Sequence, residues 1–300
     1  MNGNPQMGVF LENWPVVVAG CFTLLVLLGL FVSAAVQYFM NLKYSLKTWR
    51  WALIYILAAA PLPIINTVMV FMKPASELPN PQQAGFLRVG AVLGLFIGLG
   101  IAVAAGLVFT ASGLYNSRRM RLPGYPLFRG VARAGRRIAG RARSFPWVPT
   151  LVAGGGFLVY TALLFAATRP QVSPVLQKAM QTWEGLMKQS SSPVLAAVLV
   201  SLIAVKEEVT YRLFMQTQLE WWMRGREHAG ALAILVTSTL WTLGHAGALE
   251  PNWVKFVQIF PMGIVLGIMR RRWGLAPCML AHLVLNLVGV VALKGLVGGT

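Results

Sequence analysis

The chain has 300 residues, of which 57% are hydrophobic and 11% charged, and it carries a formal net charge of +18. A mean hydropathy of +0.65 excludes an ordinary soluble domain and points to an all-α polytopic membrane helical bundle. The positive charge suggests nucleic acid until its placement is read: 17 of the 26 Lys and Arg residues fall in alternate loops between apolar stretches, so charge reports topology and no nucleic-acid partner is expected.

A bilayer core needs about 20 apolar residues per helix, and eight candidate transmembrane spans are present, roughly 15–40, 51–72, 89–115, 148–168, 193–222, 230–247, 253–269 and 274–293. The first is too long for a cleaved signal peptide and lacks its basic start. Spans one to three hold no ionisable residue at their apolar centres, which suits packing and cavity walls. Pro61 and Pro63 predict a kink in span two. Gly90, Gly94, Gly98 and Gly100 in span three, with Gly154, Gly155 and Gly156 in span four, predict close helix contacts. Cys21 and Cys278 lie inside spans and far apart, and read as packing residues, not as a disulfide or a metal cluster. No internal repeat suggests an inverted-repeat transporter.

The Arg-rich loops follow spans one, three, five and seven, so the positive-inside rule puts them in the cytoplasm of a multi-pass plasma (inner) membrane protein, with both termini outside. The largest holds nine Arg between Arg118 and Arg143. Plotted as a helix over 128–143, its apolar residues cover one side and its Arg residues the other, predicting an interfacial helix on anionic lipid, at about 1 kcal/mol per Arg near the surface. This loop also marks the expected division between N-terminal membrane helices (1–147) and a C-terminal helical core (148–300) whose polar clusters lie within 193–291. On the other side of the membrane, loop 169–192 predicts a short amphipathic helix over 175–187.

Chemistry concentrates in the last four spans. The chain has eight acidic residues, all Glu, and two of them, Glu207 and Glu208, stand together inside span five. A charge at a helix centre costs about 2.5–3.5 kcal/mol on insertion scales, so it is read first as functional. Arg212 follows Glu208 at i,i+4, the favoured order for an ion pair. On that reading Arg212 neutralises Glu208, and Glu207 stays free. Span six ends in Trp241-Thr242-Leu243-Gly244-His245. Span eight carries His282 and Asn286 on one helical face. His228 sits in a charged loop and has a surface explanation.

From a rise of about 1.5 Å per residue, Glu207 and His245 lie about 22 Å from the cytoplasmic ends of their spans, Asn286 about 18 Å and His282 about 12 Å. Three helices can therefore converge a carboxylate, two imidazoles and an amide. A lone buried Glu–Arg pair is more often structural, and a lone intramembrane His or Asn is commonly an interhelical hydrogen bond worth about 0.6–2 kcal/mol. The joint arrangement is what points to hydrolysis. There is no Asp for an aspartyl dyad and no His-Glu-x-x-His helix, and Thr110-Ala111-Ser112-Gly113 lacks the leading Gly of a rhomboid-type serine motif.

The order Glu207-Glu208…Arg212, Trp241…His245, His282…Asn286 resembles the CPBP family of CAAX-prenyl endopeptidases and bacteriocin-processing (Abi-type) intramembrane proteases. Trp241 stands where Phe is usual. Gly263–Arg270 and Trp273–Pro277 also look like the segment before that family's last motif. The resemblance covers about 193–291. It implies an all-helical intramembrane endopeptidase in which Glu207, helped by His245, activates a water, His282 and Asn286 form an oxyanion pocket, and Glu208 with Arg212 hold the site together. No cofactor is certain. A divalent metal is the alternative, because Glu207, His245 and His282 could form a zinc site with an open position.

The expected partner is a membrane-anchored or exported peptide or protein, cut near its terminus or anchor. The catalytic layer falls in the half of the bilayer away from the Arg loops, which favours an exported substrate over a prenylated cytosolic tail. The competing readings are a non-catalytic immunity or scaffold protein of the same fold and, third, a proton-coupled transporter.

Overall fold

The computed structural model describes residues 25–26, 28–42, 48–72, 81–122, 145–174, 177 and 193–297. Its elements are α1 (Leu28–Met40), α2 (Trp49–Ala59), α3 (Pro61–Met72), α4 (Pro81–Arg119), α5 (Trp147–Thr168), β1 (Gln171–Val172), α6 (Pro193–Glu207), a π-helical segment (Glu208–Gln216), α7 (Thr217–Trp222), α8 (Ala229–Leu243), β2 (Leu249–Glu250), α9 (Asn252–Trp273) and α10 (Leu275–Val297). Each of the eight apolar stretches meets a helix, giving an all-α membrane bundle. Four stretches, Trp51–Val68, Gly85–Arg119, Trp147–Thr168 and Asn252–Trp273, are long and apolar enough to cross a bilayer by length and composition, and α1, α8 and α10 add shorter apolar helices. The count of eight crossings rests on the sequence. The start of span one, the arginines from Arg129 to Arg143, Cys21 and the helix expected over 175–187 lie outside the described residues, Gln177 of that helix excepted.

The distribution of side chains is that of a protein in lipid. Phe96, Ile97 and Leu163 are exposed on the outer faces, while Thr110, Ser112 and Asn116 are buried. Water would penalise such apolar patches, and lipid does not. Span two breaks at Ala60, where α2 ends and Pro61 starts α3, since proline lacks the N–H that would continue the ladder. α9 ends on Arg270, Arg271 and Arg272, cations that suit the negative end of the helix, and Gly274 then turns the chain at φ 94°.

Two cores hold the bundle. The first joins Leu30 and Ala34 of α1, Tyr55 of α2 and Phe109 of α4 to Val209, Leu213 and Phe214 of the π segment, with Phe109 and Phe214 stacked at 4.0 Å between ring centroids. The second gathers Phe157, Trp241, Met262, Leu266, Cys278 and Ala281 from α5, α8, α9 and α10. Cys278 is a fully buried packing residue, as expected. The glycine expectation holds only in part. A Cβ at Gly98 would stand 2.7 Å from Pro63, but Gly90, Gly94, Gly100, Gly155 and Gly156 face open space, and Gly154 makes only ordinary contact. The tightest approach on α4 is instead Gly113, where a Cβ would run into the backbone of Leu213.

Beside these cores runs a polar belt at one end of the bundle. Ser112 Oγ and Asn116 Nδ2 donate to Gln218 Oε1 at 2.8 and 2.7 Å, and Gln218 Nε2 donates to Ser33 Oγ at 3.1 Å. Gln216 Nε2 donates to the Gly267 carbonyl at 3.1 Å, and Arg271 pairs with the buried Glu220 at 3.3 Å. Each bond joins the π segment or α7 to a different helix. The stretch carrying the Glu pair is thereby clamped from α1, α4 and α9.

Candidate active site

Glu208 begins nine residues of π-helix, running to Gln216. Such wide turns are rare and recur at functional sites. Ion pairing at i,i+4 survives in it, but weakly: Arg212 Nε lies 3.7 Å from Glu208 Oε2, with both side chains buried. The expected Glu208–Arg212 pair is therefore present, but Arg212 is not the nearest partner of Glu208. The short contact of Glu208 is to His282, whose Nδ1 lies 2.9 Å from Glu208 Oε1. A carboxylate only accepts, so Nδ1 carries the proton and Nε2 is left to face Glu207. That second nitrogen stands 3.8 Å from Glu207 Oε2. The adjacent carboxylates thus flank one imidazole, one at each nitrogen.

Glu207 is not free of partners either. The indole N–H of Trp241 donates to its Oε2 at 2.8 Å. Exposure separates the two acids: the side chain of Glu207 is 17% exposed and that of Glu208 1%. Only Glu207 can reach a water molecule without rearrangement.

Trp241 is the centre of the cluster. It is buried, and its ring meets those of His245 and His282 edge-on, each at 5.3 Å. The Arg212 guanidinium lies 5.1 Å over the same ring, an attraction that matters because Nε, Nη1 and Nη2 of Arg212 make no hydrogen bond among the described residues. The sequence pattern uses this position only as an aromatic spacer before His245. A phenylalanine would fill the space and make the ring contacts but could not donate to Glu207.

His245 lies just beyond the end of α8, not inside a helix running to 247. Its Nδ1 is 2.8 Å from the Trp241 carbonyl, which fixes the ring and leaves Nε2 as the open nitrogen. The turn that holds it is tied down from α5: β1 pairs antiparallel with β2, and Ser173 Oγ donates to the Gly247 carbonyl at 2.5 Å. Two-residue strands carry no periodicity, so nothing in the sequence announces this latch. Asn286 lies one turn beyond His282 on α10, half-buried. His228 is exposed beside Glu227, in keeping with its surface reading.

Glu207, Glu208, Arg212, Trp241, His245 and His282 therefore meet where the end of α6, the π segment, the C-terminal end of α8 and α10 converge. As for zinc, no group of three or more His, Cys or Glu side chains among the described residues is arranged to hold a metal ion. Glu207 Oε2 accepts from the indole and stands 3.8 Å from His282 Nε2, so an ion shared by the two would use an oxygen that already holds a hydrogen bond.

Glu207, Glu208, His245 and His282 form a Glu–His cluster, largely buried, on converging helices. Residues 189–288 match the family described as type II CAAX prenyl endopeptidase Rce1-like. Among curated proteins, the chain is 34% identical over 86 residues to the sporulation-killing factor biosynthesis protein SkfC of Bacillus subtilis (strain 168), a stretch covering 28% of this chain and 16% of that relative. No solved structure matches the chain. Over that C-terminal stretch the chain is similar to the CAAX-type (CPBP) family, and it spans about 16% of the length of the curated relative it matches.

Proposed function

We propose that this protein is an intramembrane endopeptidase in which Glu207 is the general base. The observation that carries the reading is the difference between two neighbouring carboxylates: Glu208 is sealed against His282 and Arg212, while Glu207 has one oxygen held by Trp241 and retains access to water. On this reading the second oxygen of Glu207 takes a proton from a water as that water attacks a peptide carbonyl. The His245 Nε2 assists by accepting a hydrogen bond from the same water. General-base catalysis of this kind contributes about 10²–10⁴-fold.

As the carbonyl becomes tetrahedral, its oxygen gains negative charge, and His282 and Asn286 supply the donors. His282 donates from Nε2 when protonated there, with Glu208 on its other nitrogen stabilising the imidazolium. Each such donor is typically worth about 2.7–4 kcal/mol. Glu207 then returns its proton to the leaving amine. Should a zinc ion bind, Glu207, His245 and His282 would be its ligands and it would polarise the carbonyl.

The substrate on this reading is a membrane-anchored or exported peptide cut near its terminus or anchor. Support comes from the prenyl-endopeptidase family match and from the relative named for biosynthesis of a killing factor. The proposed setting is the plasma (inner) membrane, with Arg loops cytoplasmic and anionic lipid at Arg118–Arg143. Wild type, Glu207→Gln, His245→Ala and His282→Ala, expressed at matched levels, test the activity. Peptides that accumulate uncleaved in all three variants support it. Unchanged processing in all three folded variants would make the cluster a scaffold, the non-catalytic alternative.

A further inference from the structure

Lys255 is a charge in the wrong place for a structural residue. It lies in the first turn of α9, where the helix end is itself partially positive, and its side chain is only partly exposed. A cation so placed calls for an anion. Among the described residues its hydrogen-bond partner is instead a neutral amide, Gln258 Oε1 at 2.9 Å, and no carboxylate stands within ion-pair distance.

The placement is fixed from outside the helix. Gln258 is buried, and its Nε2 donates to Thr161 Oγ1 of α5 at 3.3 Å. One residue earlier, the Val257 carbonyl accepts the Tyr160 hydroxyl at 2.8 Å. α5 thus holds the start of α9 in register. The latched turn of residues 244–251 joins this start directly to His245, and the charge of Lys255 acts on both His245 and Glu207. The ammonium therefore borders the cluster that would do the hydrolysis, with the Glu207 carboxylate acting on it from beyond ion-pair distance.

We propose that Lys255, oriented by Gln258, is a specificity residue that binds a carboxylate carried by the substrate beside the scissile bond, an inference that rests on the peptidase reading. Two sources supply that chemistry: the free α-carboxylate at a peptide C-terminus, or an acidic side chain near the cut. Either would give the ammonium a carboxylate in direct contact, which Glu207 does not provide, and fix the scissile carbonyl relative to Glu207. A Lys255 that only balanced the charge of Glu207 would affect every substrate alike.

The test uses the purified full-length protein in phosphatidylethanolamine–phosphatidylglycerol vesicles. Its probe is a pool of random-sequence peptides with an N-terminal palmitoyl anchor, made as C-terminal acids and as amides, with cleavage read by mass spectrometry. Wild type cleaves carboxylate-bearing members about 10–100-fold better in kcat/KM, expressed chiefly in KM, the range expected of a hydrogen bond to a charged group. Lys255→Met abolishes that preference and Lys255→Arg keeps it. Loss of preference on amidation identifies the terminal carboxylate, and preference that follows Asp and Glu regardless of amidation identifies a side chain. Wild type without preference, or Lys255→Met with undiminished preference or with acids and amides slowed equally, overturns the assignment and leaves the peptidase standing. Cleavage absent in wild type, or equal in Glu207→Gln, refutes the peptidase itself and the assignment with it.

Discussion

Trp241→Phe isolates one hydrogen bond at the proposed centre. The indole N–H lies 2.8 Å from Glu207 Oε2, while the ring packs between His245, His282 and Arg212. Phenylalanine retains an aromatic face for most of those contacts and removes only the donor. A hydrogen bond to a charged group is worth about 1.5–3 kcal/mol. If it holds Glu207 in the orientation that meets water, its loss slows kcat by about 10–100-fold, at about 1.4 kcal/mol per factor of ten. KM changes little, because the indole nitrogen touches Glu207 and not the peptide. The assay is single-turnover cleavage of a peptide that wild type processes and Glu207→Gln does not, with thermal unfolding measured in parallel. Wild-type kcat in a folded Trp241→Phe protein would refute the positioning role. Equal losses in Trp241→Phe and Trp241→Ala, with unfolding, would reduce Trp241 to a packing residue.

Four further outcomes follow from the same geometry. Arg212→Ala leaves Glu208 buried without its cation, and breaking such a pair costs about 3–5 kcal/mol, so thermal stability in detergent falls along with activity; an unchanged melting temperature would show that the 3.7 Å pair carries nothing. Gly113→Val forces a branched side chain into Leu213, whose Cγ would stand 2.7 Å from a Cβ; overpacking of about 1–3 kcal/mol should appear as lost stability, and a fully stable variant would mean that α4 does not fix the π segment. Asn286→Ala should lower kcat by about 10²–10³-fold with KM preserved, whereas a change confined to KM would move Asn286 out of the oxyanion pocket. Metal analysis of the purified protein should find no stoichiometric zinc and chelators should leave turnover intact; one zinc per chain with chelator-sensitive turnover would install the metal mechanism.

How much of this could be read beforehand depended on the kind of signal. Glu207, Glu208, His245 and His282 were legible because ionisable groups are costly in an apolar span and stand out against it. Helix positions were legible for the same reason, since long apolar runs leave few alternatives. The π segment was not, because its wider turn responds to packing of Leu213 against Gly113 and to the polar clamp on Gln216 and Gln218, all distant in sequence. Helical phasing at about 100° per residue therefore paired Glu208 with Arg212 and missed His282. Trp241 matched an aromatic spacer, a pattern blind to its N–H. Lys255 stands in the sequence as one more charge near a span end, and only the fold shows the Gln258 hydrogen bond that orients it.

The charge balance explains how such a site can sit at membrane depth. Arg212 offsets Glu208, and the carboxylate of Glu207, with the Trp241 N–H on one oxygen, faces the Lys255 ammonium only from beyond ion-pair distance. In the proposed reaction Glu207 becomes neutral as it takes the proton from water, and the negative charge passes to the carbonyl oxygen a few ångströms away. The reaction moves a buried charge and does not create one. Donors already fixed by the fold then stabilise the new position without reorganising solvent, the condition under which electrostatic preorganisation is most effective. That requirement accounts for the clamps around the π segment. A loosely held Glu207 would spend part of the gain on ordering itself, and a polar site in lipid has no bulk water from which to recover it.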